Sequence, residues 1–133
     1  MPITRQRLAF EMLPLAWQSL ERGEEPGWTA GFAGCCWGLI EPQRLSEYTS
    51  WLEKIIVRSF ELRSQLSNPP GEHGPFAMTL TMMLIALGKV DRSRFTAILE
   101  TLKRRGGEAN LDPRWKVIAG AEKTVLNLGA REP

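Results

Sequence analysis

The chain has few of the residues from which catalytic and metal sites are built. Its 133 residues include two cysteines, one histidine and one tyrosine. The cysteines are the adjacent pair Cys35 and Cys36, and the histidine is His73, so neither CxxC nor HxxxH spacing occurs. The phosphate-loop patterns GxxxxGK[ST] and GxGxxG are also absent. We therefore expect no bound metal and no cofactor.

Long apolar runs are missing as well. The longest uncharged stretches, 26–40 and 73–88, are shorter than the ~18–20 apolar residues that a membrane span needs. The first residues lack the cationic region and apolar run that are typical of a secretory signal. A disulfide between adjacent cysteines would be strained, so we expect Cys35 and Cys36 to be reduced and packed inside. These features predict a cytoplasmic protein without a membrane span.

Charge is nearly balanced overall but unevenly distributed along the chain. The net charge is +2, too small to indicate a polyanion partner for the protein as a whole. Residues 1–75 carry 7 basic and 9 acidic residues, whereas residues 76–133 carry 10 basic and 6 acidic residues. The second half is therefore a candidate basic face.

Apolar residues recur with helical spacing rather than in strand-like alternation. The sequence predicts an all-α fold, a compact bundle of five to six helices that forms a single domain over residues 1–133. The predicted helices cover approximately 4–21, 27–40, 43–66, 76–87, 92–105 and 113–128. The segment 67–75 is rich in proline and glycine and predicts a flexible loop between the two halves of the domain.

Two of these helices are expected at the centre of the bundle. The third has a seam with alternating spacings of three and four residues, broken by the polar Ser59. That seam consists of Leu45, Tyr48, Leu52, Ile55, Ser59, Leu62 and Leu66. The fourth helix contains no charged residue and is apolar nearly all round, which is typical of a buried helix. Gly88 is expected to end it, and Asp91 to cap the helix that follows.

The most distinctive segment is 27–40, where four glycines recur with the spacing of one helical face. They are Gly27, Gly31, Gly34 and Gly38. Such a face lets a second helix approach closely, either within the chain or from another subunit. The alternative is a broken helix in which the glycines serve turns.

These observations predict a small, non-catalytic accessory or regulatory protein. It would act through helix-mediated contacts with a protein partner or with a second copy of itself, because five tryptophans and a glycine face supply contact surface. The candidate contact residues are Trp28, Gly31, Phe32, Gly34, Trp37 and Trp51.

The alternative function is that of a nucleic-acid-binding regulator that uses the basic helices of residues 89–116. Its candidate phosphate contacts are Lys103, Arg104, Arg105, Arg114 and Lys116. The connection between the two predicted helices is longer than the usual helix-turn-helix turn, and basic residues are also common at helix C-termini. A third hypothesis, an enzyme centred on His73 and Glu72, lacks a nucleophile at any recognisable spacing.

Overall fold

A computed structural model gives the structure of the chain and describes residues 2–64, 76–106 and 119–126. Within these ranges the chain forms six helices and no strand. The helices are α1 (Pro2–Glu21), α2 (Trp28–Cys35), α3 (Leu45–Ser64), α4 (Ala77–Val90), α5 (Arg92–Gly106) and α6 (119–126). Two short 3-10 turns, Trp37–Leu39 and Pro42–Arg44, connect α2 to α3. The predicted all-α bundle is confirmed, and the predicted loop 67–75 lies outside the described residues.

The core forms around α3 and α4, which make the most extensive helix–helix contact of the bundle. Tyr48, Leu52 and Ile55 of the predicted α3 seam are completely buried, and so is the polar Ser59. The fully buried large residues that α4 adds are Leu80, Met83, Leu84 and Leu87. α1 packs against α2 and α3, and α2 packs against α4, so the core is covered on several sides.

The α4–α5 junction follows the predicted capping chemistry at one position and departs from it at another. The Asp91 carboxylate accepts a hydrogen bond from the Arg94 backbone N–H at 3.0 Å, which confirms Asp91 as the cap of α5. Gly88, however, does not end α4, which continues to Val90.

The reason that Gly88 stands inside α4 is the close approach of α6. A Cβ built at Gly88 would lie 2.7 Å from both γ-carbons of Val125 and 3.3 Å from a Phe95 ring carbon. No side chain larger than hydrogen fits there without displacing Val125. Gly88 therefore serves packing rather than helix termination.

The glycine segment is part helix and part turn, so it contains features of both predicted alternatives. α2 ends at Cys35, and the chain continues through the Trp37–Leu39 turn, so 27–40 is not one continuous helix. Gly27 precedes α2 with a φ of 64°, a conformation that strongly favours glycine. Gly38 has open space around its α-carbon. Only Gly31 and Gly34 lie within α2, and both face α4.

Tyr48 links the end of α2 to the first turn of α3. Its side chain is completely buried, and its hydroxyl donates a 2.6 Å hydrogen bond to the Ala33 carbonyl oxygen. The same carbonyl also accepts a hydrogen bond from the Cys36 backbone N–H at 3.3 Å, so the hydroxyl gives it a second, shorter hydrogen bond away from water. Burial raises the pKa of Tyr48 well above its ordinary value, and the phenol stays protonated as the donor.

We expect Tyr48→Phe to lower the free energy of unfolding by about 1–2 kcal/mol. The substitution removes the hydroxyl, so the buried Ala33 carbonyl loses a hydrogen bond. The loss of one buried hydrogen bond usually costs about this much stability. Urea unfolding followed by circular dichroism measures the change. A Tyr48→Phe variant as stable as the parent protein would show that this hydrogen bond contributes nothing to α2 docking.

Candidate functional site

The candidate contact residues are arranged by the parallel packing of α2 on α4. Residues further along the first segment meet residues further along the second: Gly31 within α2 lies opposite Met82 of α4, and Trp37, in the turn that follows α2, lies beneath the Lys89 ammonium near the end of α4. Both helices therefore run in the same direction, and their first turns lie at the same end of the bundle. This register decides which side chains of the glycine segment remain available to a partner.

The two glycines inside α2 differ in how closely the side chains of α4 approach them. A Cβ at Gly34 would lie 2.9 Å from Cε of Met83, whereas a Cβ at Gly31 would come no closer than 3.9 Å to Met82. The first distance is below van der Waals contact, and the second is an ordinary contact. The close contact predicted for the glycine face is therefore made within the chain, chiefly by Gly34 against the methionines of α4.

In their first turns, α2 and α4 both present large apolar side chains to solvent. Trp28 is 70% exposed and Met78 is 65% exposed, the two highest values among the large hydrophobic residues described. Trp28 lies in the first turn of α2, three residues before Gly31, and Met78 lies in the first turn of α4, four residues before Met82. We call this pair of exposed side chains the Trp28–Met78 surface.

The other candidate aromatic residues are less exposed than Trp28. Phe32, Trp37 and Trp51 are partly buried and pack against the core, and the Lys89 ammonium covers the Trp37 ring at 4.4 Å from its centroid. These residues contribute to the fold, and Trp28 is the candidate aromatic with the most surface left for a partner.

A second aromatic cluster lies between α1 and α3. The Lys54 ammonium is 4.2 Å from the centroid of the Trp17 ring and 5.2 Å from that of the Trp51 ring. Beside it an open, shallow groove of about 360 Å³ runs along one face of α3 and is lined by Glu47, Ser50, Trp51 and Lys54. Sequence reasoning proposed Trp51 as a contact residue but missed its pairing with Trp17, because the two residues belong to different helices.

The first turn of α4 is held by a carboxylate from the α1–α2 connection. Glu25 accepts hydrogen bonds from the Phe76 backbone N–H and from the Thr79 hydroxyl. Phe76 has a φ of 67°, in the left-handed region that a non-glycine residue rarely adopts. Glu25 thus fixes the end of α4 that carries Met78. No local sequence pattern predicts this contact, because Glu25 and Phe76 are 51 residues apart.

The basic residues of the second half are largely engaged with neighbouring groups. The Lys103 ammonium lies 3.3 Å from a Glu122 carboxylate oxygen, and Arg94 lies 3.7 Å from Glu53. Arg104 is exposed. The side chain of Arg105 and the whole of Arg114 and Lys116 lie outside the described parts, so the structure describes only Lys103 and Arg104 among the side chains of the five candidate phosphate contacts.

The adjacent cysteines differ in environment. Cys36 is buried as expected, but Cys35 at the end of α2 is exposed, which corrects the expectation that both are packed inside. Burial raises the pKa of the Cys36 thiol, and the neighbouring Cys35 adds to the effect. Among the described side chains, no three His, Cys, Asp or Glu residues form a group that could hold a metal ion.

In the described part of the chain, no helix has both the length and the apolar character that crossing a membrane requires.

Comparisons with other proteins add no functional information. No protein-family model, curated protein or solved structure matches this chain.

Proposed function

We propose that this protein is a small, non-catalytic accessory or regulatory protein that acts through protein contacts, and that its Trp28–Met78 surface binds a second copy of the chain. The observation that carries the proposal is that the two most exposed large apolar side chains described lie in the first turns of α2 and α4, two helices that pack against each other. Tryptophan dominates the binding energy of many interfaces, and methionine adapts its shape to a partner.

The charge pattern around the surface supports a symmetric partner. A two-fold contact brings the same patch of both copies together, so a patch of one charge sign would repel itself. The sequence from Phe76 to Gly88 contains no charged residue, and the nearby Glu24 carboxylate is paired with Arg22 at 3.3 Å. Because α2 and the first three turns of α4 carry no charged residue, these two helices add no like-charge repulsion to a two-fold contact.

The nucleic-acid alternative has less support from the described residues. Lys103 and Arg94 lie beside acidic side chains of the same domain, which compete with phosphate for them. Phosphate contacts would give an affinity that falls steeply with salt concentration. A titration with duplex DNA at two salt concentrations separates this function from a protein contact.

Sedimentation velocity over a range of protein concentrations tests the proposal. We expect a mass above the 15.0 kDa of one chain that falls on dilution. Trp28→Ala should weaken the association about 5–30-fold, because truncating an interface tryptophan commonly costs about 1–2 kcal/mol or more.

Leu15→Ala is the matched control, because Leu15 on α1 is also exposed, at 44%, but lies outside the Trp28–Met78 surface. This variant should associate like the parent protein. A parent protein that stays monomeric at all concentrations would refute self-association, and equal weakening by both substitutions would refute the assigned surface.

A further inference from the structure

The cluster of Trp17, Lys54 and Trp51 is independent of the Trp28–Met78 surface and has the composition of a cation site. Two indole rings from different helices face one ammonium group at 4.2 and 5.2 Å from their centroids. Both distances fall within the ~6 Å over which a ring face attracts a cation. Two acidic residues of α3 near Lys54 in sequence have other partners: Glu47 is paired with Arg44 at 2.9 Å, and Glu53 lies 3.7 Å from Arg94.

We propose that Trp17 and Trp51 form a binding site for a quaternary ammonium group, and that Lys54 occupies this site when no ligand is present. The rings supply the two faces, and the groove of about 360 Å³ beside Trp51 supplies space for the rest of the ligand. Glu47 lines the same groove, where its carboxylate is paired with Arg44 at 2.9 Å.

The chemistry favours exchange of the lysine for such a ligand. Lys54 is exposed, so its ammonium keeps much of the water that a primary ammonium binds strongly. A methylated ammonium binds water less strongly and presents methyl groups to the rings, which is the usual basis of recognition by aromatic side chains. Lys54 is attached at one end only, on α3, and can leave the rings without disturbing the helices.

The test uses choline and its uncharged isostere 3,3-dimethyl-1-butanol, titrated at constant ionic strength. The indole N–H signals of Trp17 and Trp51 report binding, and those of Trp28 and Trp37 serve as internal references. We expect choline to shift the first pair and to bind at least about fivefold more tightly than the isostere, a ratio that corresponds to one cation–π contact. A peptide that carries trimethyllysine, titrated alongside, distinguishes a protein-borne ammonium group from a free small molecule.

Substitutions at Lys54 separate a ligand site from a purely structural contact. Lys54→Ala empties the site and should raise choline affinity about fivefold, whereas Lys54→Arg keeps a cation over the rings and should not raise it. Lys54→Gln is a second open variant if the alanine variant folds poorly. Trp17→Leu in the Lys54→Ala background should reverse the gain.

Two results would overturn the proposal. One is equal binding of choline and its isostere, which would show that the rings do not select charge. The other is the lack of any choline-dependent shift at Trp17 and Trp51 in the folded open variants, which would show that Lys54 only fastens α1 to α3.

Discussion

Gly88→Leu is expected to lower the free energy of unfolding by about 3 kcal/mol. The first carbon of any side chain at this position meets both γ-carbons of Val125 at 2.7 Å, and Val125 is itself 1% exposed. Valine is stiff at χ1, so α6 has to move away from α4 to make room. Forcing extra carbons into a packed core costs about 1–3 kcal/mol, and leucine adds four of them.

Gly31→Ala is the matched control because it places a methyl group on the neighbouring glycine-bearing helix. Its Cβ would make only ordinary contacts with Met82, at 3.9 Å. Alanine is the better helix former by about 1 kcal/mol, so this variant should be up to 1 kcal/mol more stable than the parent protein. Chemical denaturation of both variants measures the contrast. A Gly88→Leu protein of parental stability would show that α6 does not pack on α4 as described.

The second large effect is expected at Glu25. Glu25→Ala removes the acceptor for the Phe76 N–H and the Thr79 hydroxyl, and both residues are at least 95% buried. Each buried donor left unsatisfied costs about 1–3 kcal/mol, and the start of α4 also loses a favourable negative charge. We expect the free energy of unfolding to fall by about 2–4 kcal/mol.

Glu24→Ala tests whether this effect belongs to the carboxylate that caps α4 or to negative charge in general. Among the described residues Glu24 pairs with Arg22, through side chains that are 62% and 58% exposed, and such surface pairs contribute at most about 1 kcal/mol. Urea unfolding of the two alanine variants provides the comparison. Similar losses in both would mean that Glu25 has no special role at the start of α4.

Periodicity predicted the helices well because their buried faces are local sequence patterns. The seam of α3 is visible as spacings of three and four residues, and the structure buries Tyr48, Leu52 and Ile55 as that pattern requires. The cap at Asp91 was predictable for the same reason, since the Arg94 N–H that it binds is three residues away.

Features that depend on distant partners could not be predicted in this way. Gly88 was predicted to end α4, because its contact with Val125 cannot be seen in the local sequence. The Glu25 side chain caps a helix whose N-cap residue lies 51 residues further along the chain. The glycine spacing of 27–40 likewise suggested a single helical face. Gly34 lies in a tight contact, whereas Gly27 occupies a turn with positive φ. Local spacing does not distinguish these uses of glycine.

The sequence predicted only part of the candidate site. Trp28 was identified as a contact residue, but its neighbour Met78 looked like part of a central buried helix because α4 carries no charge in its first three turns. The exposure of Met78 depends on the parallel register of α2 and α4, which follows from tertiary packing. The Trp17–Lys54–Trp51 cluster was missed for the same reason.

The most direct test of the proposed protein contact is the response of the Trp28 indole N–H signal to dilution of the uniformly ¹⁵N-labelled protein. Self-association through the Trp28–Met78 surface predicts that this signal and the amide signals near Met78 shift together as the protein is diluted, while the Trp37 and Trp51 indole signals stay constant. Constant Trp28 and Met78 signals over the whole concentration range, or shifts confined to other helices, would contradict the account.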